Sequence, residues 1–358
     1  MPMTIRELYR LAWALLWIVA LAGCFAKPKP TAEQPHAGKV LYVFNWSDYI
    51  DPDILDEFEA KTGARIVYDN YSSDAELEAK MLTGQSGYDV IFPSDRSMPV
   101  LLKKQVLVKL DKSLLSKYDV LDPRYLGAPF DPKNEYVVPY FTGTLAVAVN
   151  EEHVAATAQT GFEVLFDSKY RGHITMLDDP EHNVAATLLR LGRPLNSLDD
   201  KDLADVQKLL IEQKPLVQAY TSDDYKERLI RGEAWVALGW SGDLLQAKRE
   251  NDKIRVLVPP AGTMIWMDGM AITKDSKQKE LAHAFIDCLL TPEIAVRNAE
   301  FVQYASPNLK AIPLLPEALR TDPTVYLPED LLQRCNWMED RGSGVQKIEA
   351  VWKAVRDH

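Results

Sequence analysis

Short apolar runs alternate with amphipathic segments along most of the chain. The run Val40 to Phe44 predicts a buried strand, and Asp51-Pro52 after it is typical of a helix N-terminus, with Gly63 as the stop. The same pattern predicts further strands at residues 64–68, 88–92, 172–177, 234–238 and 255–258, and further helices at residues 72–81, 198–211, 223–231 and 279–290. This order predicts an α/β protein with mainly parallel sheets flanked by helices.

One β-rich stretch is longer than a strand of a single lobe requires. It runs from Tyr136 to Asn150 with Gly143 in its middle. A strand of this length can pass from one lobe to another. The pattern therefore indicates two lobes joined by a hinge strand.

The N-terminus has the features of an export signal. Arg6 and Arg10 precede the apolar run Leu11 to Leu21, which is too short to span ~30 Å of hydrocarbon at ~1.5 Å per residue. We interpret residues 1–23 as a signal peptide. Leu21-Ala22-Gly23-Cys24 resembles a bacterial lipobox, so Cys24 is expected to be lipidated. Residues 24–38, rich in Pro and polar residues, are interpreted as a tether. The protein is thus expected to be periplasmic or otherwise extracytoplasmic and lipid-anchored to a bacterial membrane.

Composition narrows the function classes. The net charge is -11 and no Lys/Arg-rich run is present, which argues against nucleic acid as a partner and suits a cationic ligand. We find no motif of a nucleophile, phosphate loop or cofactor site, and the six histidines are not at metal-ligand spacing. No enzyme activity, cofactor or metal is predicted. Cys288 lies on a helical stripe with Leu281, Phe285 and Leu289, which favours a reduced core residue over a disulfide.

Aromatic residues recur beside carboxylates where the predicted strands end. An aromatic face attracts ammonium and packs against methylenes, and a carboxylate accepts charge-assisted hydrogen bonds. Because ligands bind at strand ends in open α/β sheets, these pairs predict a slot for a flexible chain with charged amine ends. The pairs are Trp46 with Asp48, Trp240 with Asp243, and Trp266 with Asp268.

The chain from Val40 onward resembles the periplasmic spermidine/putrescine-binding proteins of ABC importers. The stretches that carry the resemblance are residues 44–50 (FNWSDYI), 88–94 (YDVIFPS), 130–132 (FDP), 138–140 (VPY), 266–268 (WMD) and 304–308 (YASPN). The resemblance implies a two-lobed periplasmic-binding-protein fold, with lobe 1 at 39–143 and 269–312 and lobe 2 at 144–268 and 313–358. It also implies a monomer that closes on a small amine and delivers it to permease subunits.

The resemblance further implies roles for individual residues. Trp46 and Tyr304 would form aromatic walls on one lobe, with Trp240 and Trp266 on the other side. Carboxylates facing ammonium groups would be Asp268, Asp243 and Asp179, and a terminal amine would be bound by Ser47, Asp48, Tyr49 and Ser94.

Three positions depart from the family pattern. Arg96 stands where spermidine binders carry Tyr, His182 where they carry Glu, and Met338 where they carry Gln. An Arg in a cleft for cations repels the ligand unless a carboxylate neutralises it. The first hypothesis is therefore a polyamine (putrescine or spermidine type), with Arg96 turned away or neutralised by Asp48 or Asp95.

The second ligand hypothesis is an ω-amino acid such as 4-aminobutyrate. Asp268 and Trp240 would hold its amine, and Arg96 with His182 its carboxylate. We place the polyamine first because at least three cleft aspartates remain. A third alternative concerns the role and not the ligand: proteins of this build also act as sensors or adaptors, and the sequence does not separate that role from transport.

Overall fold

The computed structural model describes residues 34–339 and 341–358. The predicted signal peptide, Cys24 and most of the predicted tether lie outside the described residues. The end of the tether segment, residues 34–38, forms a turn against the first helix. There the amide of His36 donates to the Thr62 carbonyl at 2.9 Å, and that of Gly38 to the Gly63 carbonyl at 3.2 Å. Within the described ranges, no helix is long and apolar enough to span a bilayer.

The strands of the described residues join into a curled ten-stranded sheet. They are β1 Val40–Trp46, β2 Arg65–Tyr71, β3 Val90–Ile91, β4 Val137–Asn150, β5 Ile174–Met176, β6 Val217–Tyr220, β7 Val236–Trp240, β8 Ile254–Leu257, β9 Met264–Ile272 and β10 Asn336–Trp337.

The α-helices cover the sheet between and after these strands. They are α1 Pro52–Thr62, α2 Asp74–Met81, α3 Ser97–Lys103, α4 Pro180–Arg190, α5 Asp200–Gln213, α6 Tyr225–Ile230, α7 Ser241–Glu250, α8 Lys279–Leu289, α9 Pro292–Val302, α10 Glu317–Arg320, α11 Glu329–Leu332 and α12 Val345–Asp357.

Two strands cross the middle of the molecule and divide it into two lobes. The outer strands β2-β1-β3 on one side and β6-β5-β7 on the other are parallel, as expected, whereas β4 and β9 run antiparallel to each other. β4 pairs with β9 from Val137 to Thr144, and with β7 and β8 from Leu145 to Asn150. The change of partners occurs at Thr144, near the predicted lobe crossing. The exact lobe boundaries stay a prediction.

Local signals in the sequence located the first helix well. The Asp51 side chain accepts from the Asp53 amide at 3.0 Å, and Gly63 ends α1 with φ 75°. The two-lobed α/β fold is confirmed.

One expectation about the strands is wrong. Trp266 and Asp268 do not lie near a strand end but in the middle of β9. Their neighbour Gly269 allows this, because a Cβ there would lie 2.2 Å from Val137 Cγ1 of β4. The close strand pairing, a long-range contact, decides the conformation.

The cysteines of the described residues are free thiols. On α8, Leu281, Phe285 and Leu289 are buried as the helical stripe predicts. Cys288 is half-buried against the same core, and Cys335 is buried next to β10.

Candidate ligand-binding cleft

A cavity of about 360 Å³ lies between the lobes where β4 and β9 cross. This volume is at the small end of the range for small-molecule sites, roughly 300–1,000 Å³. The cavity wall contains every predicted ligand-binding residue: Trp46, Ser47, Asp48, Tyr49, Ser94, Arg96, Asp179, His182, Trp240, Asp243, Trp266, Asp268 and Tyr304. The fold thus brings the whole set together, while their individual roles toward a ligand stay predictions.

One side of the cavity is a continuous series of ring contacts. His182 packs against Trp240 at 4.6 Å, Trp240 against Trp266 at 5.9 Å, Trp266 against Tyr304 at 5.0 Å, and Tyr304 against Tyr49 at 5.6 Å between ring centroids. All four contacts are edge-to-face, the geometry that aromatic quadrupoles favour. We call these five residues the aromatic wall.

Two glycines make room for that wall. A Cβ on Gly143 of β4 would lie 2.5 Å from the Trp266 ring, and one on Gly242 of α7 would lie 2.6 Å from the Tyr304 ring. Any larger residue at Gly143 or Gly242 would force the Trp266 or Tyr304 ring to shift. The glycine that suggested a hinge strand in the sequence is therefore also a packing requirement of the cleft.

Trp46 is held separately from the aromatic wall. Its indole Nε1 donates to the Phe92 carbonyl at 3.0 Å, and its ring packs against Tyr71 at 4.4 Å. β1 and β3 are adjacent parallel strands, so their carboxyl ends bring Trp46 and Phe92 to the same edge of the sheet. The indole is thereby fixed at the cavity rim.

Asp268 is a buried carboxylate without a cationic partner. It is 6% exposed, and within the described residues no ion pair involves it. Burial raises its pKa well above the usual range, and the nearby Asp95, Asp74 and Asp243 raise it further, although the Tyr49 hydroxyl beside it works in the opposite direction. A positive group placed here would offset both the burial of the Asp268 charge and its repulsion by the neighbouring carboxylates.

Asp95 strengthens the negative field at this point. Burial, together with the charge of Asp74, raises the pKa of Asp95 to about 7. Neighbouring carboxyl groups with raised pKa values are typical of functional sites, and a cation beside them would favour their ionised forms.

Asp243 is oriented by two phenols. The hydroxyls of Tyr225 and Tyr304 each donate to its carboxylate at 2.7 Å. Burial and the Asp243 charge raise the pKa of both tyrosines well above the usual range, so they remain donors. Since Tyr225 lies on α6 and Tyr304 follows α9, this carboxylate links two distant parts of the sequence.

Ser94 is engaged by an aspartate that the sequence analysis missed. The Ser94 hydroxyl donates to Asp74 Oδ1 at 2.6 Å, and the Ser97 hydroxyl donates to the same atom at 2.8 Å. Asp74 lies in the cavity wall at the start of α2. Its position directly after the N-cap Ser73 gave only a helix-start signal, so its function in the cleft was not visible.

Arg96 is neutralised by carboxylates other than those predicted. On the polyamine hypothesis, Arg96 is either turned away or neutralised by Asp48 or Asp95. Instead Arg96 Nη2 donates to Glu181 Oε1 at 2.7 Å and Nη1 to Asp179 Oδ2 at 3.2 Å. Both acceptors lie at the start of α4 on the opposite lobe, and sequence distance gave no indication of this approach. Of the two alternatives, neutralisation is the one observed, but Asp48 and Asp95 were the wrong partners, since no ion pair of the described residues joins either of them to Arg96.

The Asp179 carboxylate makes several interactions at once. It caps α4 by accepting from the amides of Glu181 at 2.9 Å and His182 at 3.1 Å. Burial tends to raise its pKa, but the His182 ring and the Arg96 guanidinium overcome this and hold the pKa well below the usual range. Asp179 is thus fully committed to the protein, which does not fit its predicted role of facing a ligand ammonium.

Asp48 has its own cationic partner across the cleft. Lys226 Nζ donates to Asp48 Oδ2 at 2.9 Å and to Gln246 Oε1 at 3.0 Å. Lys226 is only 9% exposed and was missed in the sequence. It shares a helical stripe with the buried Leu229, and a lysine on a buried stripe was the available signal.

The cleft has no metal-binding character in the described part of the chain. Across residues 34–339 and 341–358, no group of three or more His, Cys, Asp or Glu side chains could hold an ion. Most of its carboxylates instead accept hydrogen bonds from tyrosine, serine or cationic side chains, and Asp268 has no cationic partner among the described residues.

A two-lobed α/β body with a small acidic and aromatic cleft at its crossing strands defines a solute-binding protein. Residues 53–326 match the family model of bacterial extracellular solute-binding proteins, and the chain belongs to that family.

Two similar proteins of known name support this family membership. The spermidine/putrescine-binding periplasmic protein of Escherichia coli (strain K12) is 32% identical over 317 residues, covering 88% of this chain and 91% of the relative. The putrescine-binding periplasmic protein SpuD of Pseudomonas aeruginosa (strain UCBPP-PA14) is 34% identical, covering 95% and 97%.

Solved structures give the same result for the fold. The spermidine/putrescine ABC transporter substrate-binding protein PotD from Streptococcus pneumoniae superimposes with a TM-score of 0.79 at 30% identity, covering 89% of this chain and 99% of that one. The TpPotD lipoprotein of Treponema pallidum gives 0.80 at 27% identity, covering 89% and 100%. The resemblance inferred from the sequence is confirmed. The chain is an extracytoplasmic protein of a solute-binding family, which is not a family of enzymes.

Proposed function

We propose that this protein is the solute-binding component of an ABC importer and captures a cation of the polyamine class. The observation that carries the proposal is Asp268, a buried carboxylate beside the aromatic wall that pairs with no cationic side chain of the described residues. An ammonium group at Asp268 gains charge-assisted hydrogen bonds, and the methylenes that follow pack against Trp266 and Tyr304. The relatives that cover most of the chain bear names that include putrescine or spermidine.

Ligand capture would be coupled to closure of the lobes. The cavity is lined by residues from both sides of the crossing strands β4 and β9. A ligand that contacts both sides stabilises the closed form in proportion to its preference for that form. The closed form would then be the one delivered to the permease.

The ω-amino acid hypothesis has less support. It needs Arg96 to bind a ligand carboxylate, but Arg96 already donates to Glu181 and Asp179. A third carboxylate would have to compete with two that are fixed by the protein. No contact in the cleft favours a sensor or adaptor role over transport.

The remaining assignments are part of the same proposal. Residues 1–23 would be removed as a signal peptide and Cys24 lipidated, which would leave a monomeric body anchored outside the cytoplasm. Lobe 1 would comprise residues 39–143 and 269–312, and lobe 2 residues 144–268 and 313–358. Mass spectrometry of the membrane fraction, by detecting a diacylglyceryl-modified Cys24, tests the anchor separately from ligand binding.

The ligand is tested by isothermal titration calorimetry on the mature protein with putrescine and 4-aminobutyrate. We expect saturable binding of putrescine, with an affinity at least about 100-fold above that of 4-aminobutyrate. Tighter binding of 4-aminobutyrate that disappears in Arg96→Ala would refute the polyamine assignment and favour the ω-amino acid. No binding of any amine would refute both.

A further inference from the structure

Arg96 joins the two lobes at one end of the cleft. It precedes α3 on the first lobe, and its guanidinium reaches the first turn of α4 on the second lobe. There Nη2 donates to Glu181 and Nη1 to Asp179, and Asp74 lies 3.9 Å from Nη1. The side chain is 23% exposed, so it is partly covered but still reaches the cavity.

The charges at this end of the cleft are already balanced by the protein. Glu181 lies between Arg96 and Arg341, whose buried Nε is 3.7 Å from Glu181 Oε2. Asp179 lies between Arg96 and the His182 ring, 2.9 Å from His182 Nδ1. A ligand ammonium arriving here would meet a guanidinium, and the carboxylates that could hold it are occupied.

Asp268, beside the Tyr49 end of the aromatic wall, has a different charge environment from the carboxylates at Arg96. Asp268 lies beside Tyr49 with Asp95 nearby, and no cationic side chain of the described residues pairs with it. The wall runs from Tyr49 through Tyr304, Trp266 and Trp240 to His182. A chain anchored at Asp268 and extended along the wall therefore approaches Arg96 as it lengthens.

We propose that Arg96 is a built-in cation that occupies the His182 end of the aromatic wall and sets the length of the ligand. The cleft accepts a diamine with two ammonium groups and rejects a triamine, because the third ammonium would have to displace Arg96 from Glu181 and Asp179. The third ammonium and the Arg96 guanidinium carry like charges and repel each other. Glu181 and Asp179 already accept charge-assisted hydrogen bonds from the guanidinium, which is held next to them by the chain, so a free amine competes poorly for them. This inference rests on the proposed function, since it specifies which members of the polyamine class bind.

The test is calorimetric titration of the mature protein with putrescine and spermidine. Wild type is expected to bind putrescine at least about tenfold more tightly than spermidine. Arg96→Gln removes the charge, frees Glu181 and Asp179, and is expected to tighten spermidine binding by at least about tenfold while changing putrescine binding by less than about threefold. Arg297→Gln is the matched control, because Arg297 pairs with Glu57 on the surface, outside the cleft, and should leave both affinities unchanged.

Two further variants separate charge from volume. Arg96→Lys keeps the positive charge and should retain the preference for putrescine. In Arg96→Gln/Glu181→Gln one of the freed carboxylates is removed, so at least about half of the gain in spermidine binding energy should disappear. Thermal unfolding of each variant establishes that it is folded before titration.

The outcomes distinguish this inference from the proposed function. Wild type that binds spermidine as tightly as putrescine overturns the role of Arg96 but leaves the polyamine assignment standing, and that comparison needs no variant to fold. An Arg96→Gln protein that loses or gains equal affinity for both amines also overturns it. Wild type that binds neither amine overturns the proposed function, and the inference with it.

Discussion

Replacing Asp268 by Asn should change ligand affinity and ligand-free stability in opposite directions. In the ligand-free protein the Asp268 carboxylate is buried near Asp95, Asp74 and Asp243, and no cationic side chain in the described part of the chain pairs with it, so its negative charge destabilises the fold. In the complex the same charge holds the ligand. Asn has nearly the shape of Asp and keeps an oxygen acceptor, so the substitution removes mainly the charge.

The magnitudes follow from these contacts. A hydrogen bond to a charged group contributes about 1.5–3 kcal/mol, so losing one ammonium–carboxylate contact should weaken putrescine binding by about 10- to 150-fold. Each unit by which burial raises the pKa corresponds to about 1.4 kcal/mol of unfavourable interaction with the ionised form. Removing the charge should therefore raise the free energy of unfolding at pH 8 by at least about 1 kcal/mol, or a few degrees in Tm.

The effect of the Asp268 charge on stability depends on pH. The pKa of Asp268 in the folded protein lies above the unfolded value of 3.8, so the stability lost to its ionisation grows as the pH rises from 3.8 to the folded pKa and is complete above it. At low pH, where the carboxyl group is protonated in both states, the stability difference between Asp268→Asn and wild type should vanish. Calorimetric titration measures the affinity, and urea unfolding at pH 8 and pH 3 without ligand measures the stability. A variant that loses both affinity and stability at pH 8 would refute the reasoning, because Asp268 would then be a structural residue with an undetected partner.

Three other changes have defined outcomes. Gly242→Ala places a methyl group 2.6 Å from the neighbouring tyrosine ring and should weaken diamine binding by about tenfold, measured by calorimetry, with circular dichroism as the folding control. Asp199→Ala removes an exposed N-cap and should lower the free energy of unfolding, measured with urea, by about 1 kcal/mol. Asp179→Ala removes both an N-cap and a partner of Arg96, so it should lower the free energy of unfolding by more. Equal losses in the two variants would argue against the ion pair between Asp179 and Arg96. Because the pKa of Asp95 is raised to about 7, putrescine affinity should rise with pH between about 5 and 7 as binding releases a proton, and ligand-free stability should fall over the same interval. A flat affinity profile that Asp95→Asn leaves unaltered would contradict this.

The residues of the cleft were predictable from the sequence to an unusual degree, because most of them follow strands directly. Trp46 and Asp48 come at the end of β1, and Trp240 and Asp243 at the end of β7. In an open α/β sheet the carboxyl ends of strands meet at one edge, so local sequence was enough to bring these side chains together. The family resemblance added Tyr304, which no local pattern indicates.

Contacts between sequence-distant charges were not predictable in the same way. Arg96 reaches Glu181, and Asp48 reaches Lys226, only because the lobes approach each other. The sequence indicated that Arg96 in this cleft needs a carboxylate partner. It offered several candidate carboxylates and no means of choosing among them. Only their positions in space select one of them.

The sequence by itself determined the elements whose causes are local: the cap at Asp51, the glycine stop at Gly63, and the recurrence of aromatic residues next to carboxylates. These depend on hydrogen bonds and side-chain preferences within a few residues. The tertiary structure alone decided that Trp266 and Asp268 lie within β9, since the pairing of β9 with β4 joins residues more than a hundred positions apart. It also decided that Asp268 is left without a cation while Arg96 is satisfied, because burial and charge balance depend on every element around a site.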